Sequence, residues 1–157
     1  MEESVSFTKS IIEGLNLKET NPRQLSPLVL AYIGDCAYDL IIKTMIVSEG
    51  NTQVNKMNKQ ASSLVKAEAQ SIMIGGLEAL LTEDEEAIYK RGRNAKSYTS
   101  AKNASITDYR RATGFEALVG YLYLTNQFDR LVELVKIGLE LDEMKTRKPT
   151  NRRTNEI

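Results

Sequence analysis

The sequence contains no histidine, and it contains a single cysteine, Cys36, among 157 residues. The absence of histidine excludes Ser-His and Cys-His nucleophile pairs, histidine-ligated zinc and imidazole acid–base catalysis. A lone cysteine can form neither an internal disulfide bond nor a thiolate zinc site. If the chain is an enzyme, its chemistry therefore depends on carboxylates, lysine, tyrosine, hydroxyl groups or a metal ion bound through oxygen atoms.

Long apolar runs are also missing from the sequence. No stretch approaches the roughly 20 consecutive apolar residues that a membrane-spanning helix needs. Residues 1–17 include acids and lack the basic start and apolar core of a secretory signal. A length of 157 residues suits one domain with one moderate core. We therefore expect a globular, cytoplasmic protein with no membrane partner.

Charge is balanced overall but unevenly distributed. The 21 basic and 21 acidic residues cancel, so net charge indicates no nucleic-acid partner. Four acids occupy 83–86, whereas 90–111 holds seven basic residues against one acid, and 145–153 is basic again. The acidic block has a structural explanation, because Thr82 and Glu85 fit a capping box and acids stabilise the start of a helix.

Apolar residues recur at helical spacing through most of the chain, and no convincing strand pair is present, which predicts an all-α fold. Ser26 followed by Pro27 predicts the start of a buried central helix that runs to about residue 47. Thr52 and Thr107 are the expected N-caps of later helices. The further helices are expected near 5–15, 52–62, 65–81, 107–125 and 128–143.

The domain organisation follows from this pattern. Residues 1–20 are expected to form an N-terminal extension or short helix, 21–143 the folded domain, and 144–157 a basic tail without fixed structure. Residues 92–105 are polar, basic and poor in core residues, which predicts a long exposed loop. Loops of this length in compact domains are often functional.

Two carboxylates stand in the two most apolar predicted helices, Asp35 in the first and Glu116 in the second. An ionised carboxylate is costly to bury unless it is paired or bound to a metal. If the two helices pack together, both acids could bind one Mg²⁺, which prefers oxygen ligands. Alternatively, each acid lies at the edge of its helix and pairs with a lysine or arginine, and spacing alone favours this second interpretation.

The basic segment Lys90–Ser97, with Lys102 and Asn103, offers clustered cations with a glycine, asparagines and serine. Such residues can contact phosphates closely. An ordinary solvated loop explains the same composition, and the sequence leaves both interpretations open.

Three segments together resemble the ribonuclease III family. Leu-Ala-Tyr-Ile-Gly-Asp at 30–35 is similar to its Gly-Asp signature helix, and Phe-Glu-Ala-Leu-Val-Gly at 115–120 is similar to its second catalytic helix. The basic segment 90–103 between them is similar to that of the mini-ribonuclease III branch. The resemblance covers about 24–139, with the three motifs in the family's order.

The resemblance implies a homodimeric, all-helical ribonuclease III endonuclease domain without a separate double-stranded-RNA-binding domain. It implies hydrolysis of double-stranded RNA with Mg²⁺, or with Mn²⁺ as a substitute, giving 5′-phosphate and 3′-hydroxyl ends. For this branch the expected substrate is the 23S ribosomal RNA precursor. Asp35 and Glu116 would be the catalytic, metal-binding acids. The implied RNA contacts are Arg91, Arg93, Asn94, Lys96, Ser97, Lys102 and Asn103.

The chain departs from full-length ribonuclease III at two acidic positions, where it has Ala31 and Thr113, as the mini-ribonuclease III branch also does. Fewer protein ligands then remain for the metal, so water, Thr113 or substrate oxygens would complete its coordination. Asp39 lies one turn after Asp35 on the same face of the helix. It would either position the metal-binding residues without contacting the metal itself, or be a solvated or salt-bridged acid.

Two other functions remain open from the sequence. One is a non-catalytic RNA-binding or ribosome-associated helical dimer that kept the fold and lost the chemistry. The presence of both Asp35 and Glu116 argues against this alternative. The other is a helical protein-interaction module with no RNA role. A cleavage assay with EDTA as a control separates the first from an enzyme, and a gel shift with duplex RNA separates the second.

Overall fold

The computed structural model describes residues 6–96 and 105–146. These ranges fold into seven α-helices and two short 3₁₀ turns, Pro22–Gln24 and Glu78–Leu80, and contain no strand, which confirms the predicted all-α class. The helices are α1 (Phe7–Gly14), α2 (Pro27–Ser48), α3 (Val54–Val65), α4 (Ala67–Leu77), α5 (Glu83–Arg93), α6 (Ile106–Leu124) and α7 (Phe128–Thr146).

The centre of the fold is the crossing of α2 and α6, where the two backbones touch. A side chain at Gly34 would overlap the carbonyl oxygen of Glu116, and one at Gly120 would overlap the carbonyl oxygen of Leu30. Because glycine has no side chain, the two helix backbones can approach each other more closely here than the roughly 8–10 Å that usually separates helix axes. Helices α3, α4, α5 and α7 pack around this pair, and their apolar residues complete one core.

A second close crossing joins α5 to α6. A Cβ atom at Gly92 would lie 2.8 Å from the Cβ of Ala117, and one at Gly114 would lie 2.7 Å from the carbonyl oxygen of Tyr89. Gly92 is thus a buried packing residue in the last turn of α5. The prediction of a loop from residue 92 was wrong at its start, because contact with α6 extends the helix through a glycine that disfavours helix by itself.

Two predicted helix starts are confirmed. The Ser26 hydroxyl accepts a hydrogen bond from the Leu28 amide at 3.2 Å, with Pro27 at the first helical position of α2. Thr82 and Glu85 form the predicted capping box at α5, with hydrogen bonds of 3.2 and 2.9 Å.

Two other predicted caps were wrong. Helix α3 begins after Gln53 without a side-chain cap, so Thr52 lies outside it. Helix α6 is capped by Ser105, whose hydroxyl accepts from the Asp108 amide at 3.0 Å, which leaves Thr107 inside the first turn. Ser105 and Thr107 can both cap the start of α6, and the start of α3 has no side-chain cap at all, so capping propensity alone does not locate either boundary.

The helix predicted for 65–81 is shorter than expected. A break at Lys66 separates α3 from α4, and the 3₁₀ turn Glu78–Leu80 replaces its last turn. None of the helices within 6–96 and 105–146 is long and apolar enough to cross a membrane.

The acidic block is used structurally. The Asp84 carboxylate accepts hydrogen bonds from the Arg23 guanidinium, and Glu86 pairs with Lys90 at 2.7 Å. Buried Glu85 accepts two hydrogen bonds from Arg130, at 2.8 and 3.0 Å. The Arg130 hydrogen bonds are the main cause that lowers the pKa of Glu85 below its ordinary value. These contacts agree with the structural explanation of the acids.

Candidate active site

The backbone contact between α2 and α6 brings Asp35 and Glu116 together. Asp35 directly follows Gly34, and the Gly34 backbone lies against the carbonyl oxygen of Glu116. The two carboxyl groups are close enough that the negative charge of Asp35 contributes to raising the pKa of Glu116. The glycine that permits the crossing thus also positions one acid from each helix at the same place.

The surroundings of Glu116 disfavour its charge. Burial, then the negative charge of Asp35, then a hydrogen bond with Asp35, raise the pKa of Glu116 to about 8. Asp35 is exposed and Glu116 is half-buried. Within the described ranges neither carboxylate forms a salt bridge with a lysine or arginine. The pairing interpretation of these acids therefore finds no support among the residues that the structure describes.

The donor set of this acid pair fits a hard divalent cation. Two adjacent carboxylates repel each other, and a cation between them relieves that repulsion while accepting oxygen ligands. Among residues 6–96 and 105–146 no group of three or more Asp, Glu, Cys or His could hold a metal. Asp35 and Glu116 are thus two carboxylates that could bind a cation, and Mg²⁺, which retains several waters in proteins, would suit a site with so few protein ligands.

Asp39 and Thr113 flank the acid pair, each one helical turn from one of the acids. The Asp39 carboxylate pairs with Lys43 at 2.9 Å, and the Thr113 hydroxyl donates to the carbonyl oxygen of Tyr109 at 2.9 Å. Both side chains thus have protein partners. The Thr113 oxygen keeps lone pairs for a water or a cation, and a supporting role for both residues remains a prediction.

The predicted RNA contacts divide between two flanks of α5. Arg91 and Arg93 stand on either side of Gly92, so they project about 200° apart around the helix. Arg91 is exposed. Arg93 lies over the Tyr89 ring, 5.7 Å from its centroid, and donates to the Asn94 side chain at 3.2 Å.

The remaining predicted contacts fall at and beyond the end of α5. Lys96 is exposed, whereas Ser97, Lys102 and Asn103 lie outside the described residues. Four of the seven predicted RNA contacts therefore lie in the described structure, namely Arg91, Arg93, Asn94 and Lys96. Arg91 and Arg93 point in different directions from α5.

Sequence reasoning missed the two glycines that align the site. Gly34 and Gly120 belong to the quoted motifs, but their role became visible only with the helix crossing. The available signal was glycine inside the two most apolar helices, Gly34 in α2 and Gly114 and Gly120 in α6, because a glycine that disfavours helix often has a packing reason.

An all-helical fold with one acid on each of two touching helices is the arrangement expected of a ribonuclease III domain. Residues 28–127 match the family model of the ribonuclease III domain. The chain belongs to the ribonuclease III family, within its mini-ribonuclease 3 group.

Several relatives illustrate this membership. The chain is 53% identical over 122 residues to the mini-ribonuclease 3 of Clostridium tetani, covering 77% of this chain and 81% of the relative. It is 51% identical over 115 residues to that of Enterococcus faecalis, covering 72% and 87%. A crystal structure of a Fusobacterium nucleatum protein is 26% identical, with a TM-score of 0.72 over 77% of this chain and 99% of the other.

Proposed function

We propose that this protein is a metal-dependent endoribonuclease that hydrolyses phosphodiester bonds in double-stranded RNA. The observation that carries the proposal is the meeting of Asp35 and Glu116 at the backbone contact between α2 and α6. The names of the relatives, mini-ribonuclease 3, support the same activity.

Asp35 and Glu116 would hold Mg²⁺, with Mn²⁺ as a substitute. When bound, such a cation neutralises phosphate charge and activates water. Because the pKa of Glu116 is raised to about 8, this side chain keeps its proton at pH 7 in the metal-free protein. Glu116 must therefore release that proton when it becomes a ligand, and metal affinity should rise with pH. In-line attack by water leaves a 5′-phosphate and a 3′-hydroxyl.

Duplex RNA would be recognised mainly through its shape, phosphates and 2′-hydroxyl groups, since base edges in the deep major groove of A-form RNA are hard to reach. Exposed Arg91 and Lys96 at the end of α5 are available for such contacts, and Asn94 can add neutral hydrogen bonds. We propose the 23S ribosomal RNA precursor as the natural substrate and the cytoplasm as the place of the reaction, as the family resemblance suggests.

The protein is proposed to act as a homodimer. Val29, Leu40 and Val47 recur on one side of α2 and are 48, 56 and 62% exposed, and Tyr32 nearby is 78% exposed. A two-fold contact over this apolar side would cover it and would place two acid pairs in one assembly. Sizing of the wild type and of Leu40→Asp tests this, because we expect a dimer that the charge dissociates.

The proposal is tested by cleavage of a defined RNA duplex with Mg²⁺. Asp35→Asn and Glu116→Gln should each lower kcat by at least about a hundredfold, since the cation supplies several kcal/mol of transition-state stabilisation. Asp129→Asn, an exposed aspartate on α7, is the matched control, and EDTA should abolish wild-type cleavage. Full activity in either folded acid variant would overturn the proposal, and RNA binding without cleavage by the wild type would indicate a non-catalytic RNA-binding protein.

A further inference from the structure

A polar cleft of about 310 Å³ lies between the end of α5, the start of α6 and the 3₁₀ turn after α4. Its walls carry three arginines and one acid together with uncharged polar groups: Arg93, Arg110, Arg111, Glu78, Asn94 and Tyr89. Arg93 and Asn94 are also among the predicted RNA contacts, whereas Arg110 and Arg111 are not.

The cleft is separate from the acid pair. Arg110 and Arg111 precede Glu116 by six and five residues on α6, so they project roughly 120–140° away from it around the helix axis. Neither Asp35 nor Glu116 lines the cleft. A ligand held there would contact the protein on a different side of α6 from the proposed cation.

The charge of the cleft is positive and unneutralised. Within the described ranges, Arg93, Arg110 and Arg111 form no salt bridge with any carboxylate. Glu78 is the acid on the wall and is exposed. Three guanidinium groups against one carboxylate favour an anion.

Two of the arginines contact neighbouring residues of the protein. The Arg111 guanidinium lies over Gly75, where any side chain would occupy the same space. Arg93 is fixed by the Tyr89 ring and by its hydrogen bond to Asn94. Guanidinium groups that are positioned in advance lose less side-chain entropy when an anion binds.

The Tyr89 hydroxyl is a second feature of the cleft that suits a ligand. This residue is 1% exposed, and its buried hydroxyl oxygen makes no hydrogen bond of normal geometry with any residue that the structure describes, although Arg111 and Glu78 lie near enough to act on it. Buried polar atoms almost always have a partner in folded proteins, and an unmade hydrogen bond is unfavourable. Burial, as the main cause, raises the pKa of Tyr89, so the hydroxyl stays protonated and can donate.

We propose that this cleft binds a phosphate group through the three arginines and the Tyr89 hydroxyl. Guanidinium groups match phosphate oxygens in paired hydrogen bonds, and a phosphate oxygen would accept from the tyrosine. The phosphate could belong to the backbone of duplex RNA or to a free phosphate compound. The first source rests on the proposed function, whereas binding of phosphate itself does not.

The direct test is a titration of the full chain with inorganic phosphate, followed by ¹H–¹⁵N NMR without divalent cations and at ionic strength held constant with chloride. We expect saturable shift changes at the amides around Asn94 and Arg110. Tyr89→Phe, which keeps the ring, should weaken binding about tenfold, the usual effect of losing a hydrogen bond to a charged group. Arg110→Gln should also weaken it, and Glu78→Gln should tighten it.

Lys59→Gln is the control, because it removes one positive charge from an exposed position on α3. It should leave phosphate affinity unchanged. Shifts that do not saturate, or equal affinities in the wild type, Tyr89→Phe and Arg110→Gln, would overturn the proposal. The spectra themselves show whether each variant is folded, and Arg110 is exposed enough that its replacement leaves the core intact.

A second arm identifies the source of the phosphate. Duplex RNA binding is measured in the Asp35→Asn background with and without Arg110→Gln, and with inorganic phosphate as competitor. A severalfold loss of affinity together with competition assigns the cleft to an RNA backbone phosphate. If phosphate binding saturates but Arg110→Gln leaves RNA affinity unchanged, the cleft is assigned to a free phosphate compound. If the protein neither binds nor cleaves RNA, the proposed function fails while the phosphate titration still decides the cleft.

Discussion

Replacing Glu116 with glutamine should stabilise the metal-free protein at alkaline pH. Glutamine has the shape of the protonated acid without its ability to ionise. The folded-state pKa of Glu116 is about 8, against an ordinary value of 4.5. A raised pKa means that the folded state favours the protonated form, so the favourable contribution is complete below pH 4.5 and is lost as pH rises towards 8.

The size of the effect follows from the same pKa values. At 1.36 kcal/mol per pKa unit, the change from 4.5 to about 8 corresponds to about 5 kcal/mol when ionisation is complete. Because half-buried Glu116 keeps some contact with water, we expect about 3 kcal/mol. At pH 5 most of the difference has disappeared, and Glu116→Gln should change the free energy of unfolding by less than about 1 kcal/mol.

The assay is urea unfolding of the wild type and Glu116→Gln at pH 5 and pH 8.5 in EDTA. Glu140→Gln, an exposed glutamate on α7, is the control for the loss of one carboxylate. The account requires a stability gain that grows with pH in Glu116→Gln alone. An equal gain at both pH values would show that the carboxyl is not held in an environment that disfavours its charge.

Three further predictions test the crossing, the capping of α5 and RNA binding. Gly34→Ala should lower the free energy of unfolding by about 3 kcal/mol, because the new methyl group meets backbone that cannot move aside. Arg130→Leu should destabilise the protein by about 3 kcal/mol at pH 7, because it leaves Glu85 buried and unpaired. Since the pKa of Glu85 is lowered, that difference should shrink as pH falls below 4.5. Arg91→Gln should weaken duplex RNA binding and flatten its log–log salt dependence by about one unit.

The two stability predictions each have a control in the chain. Gly14→Ala meets no atom within 4 Å, so a loss of stability as large as that of Gly34→Ala would refute the explanation by close crossing. Glu133→Gln removes only the exposed partner of Arg130, at 3.3 Å, and should matter little. An unchanged salt slope in Arg91→Gln would remove Arg91 from the RNA surface. Urea unfolding measures the first two, and fluorescence anisotropy at several salt concentrations measures the third.

The sequence predicted the fold class and two helix starts because these depend on local chemistry. Ser26 followed by Pro27, and Thr82 followed by Glu85, satisfy helix ends with atoms only two or three residues away. The end of α5 could not be predicted in the same way. Gly92 disfavours helix locally and is held there by its contact with α6, which no pattern within α5 reveals.

The sequence predicted the two acids of the candidate site, but it could not predict that they meet. Helical periodicity shows that Asp35 and Glu116 lie in apolar helices, but it cannot tell which helices touch or at which residue. The contact at Gly34 supplies that information, and burial together with the charge of Asp35 then raises the pKa of Glu116. The cleft with Arg111 was missed for the same reason, since its walls come from three separate elements.

The most direct test of the central claim is a double-mutant cycle on kcat/KM for duplex RNA cleavage with Mg²⁺, using Asp35→Asn, Glu116→Gln and the variant that carries both. If the two carboxylates bind one cation as a unit, either single change should lose about as much activity as the double change. Losses that simply multiply in the double variant would show that the two acids act independently and would contradict the account.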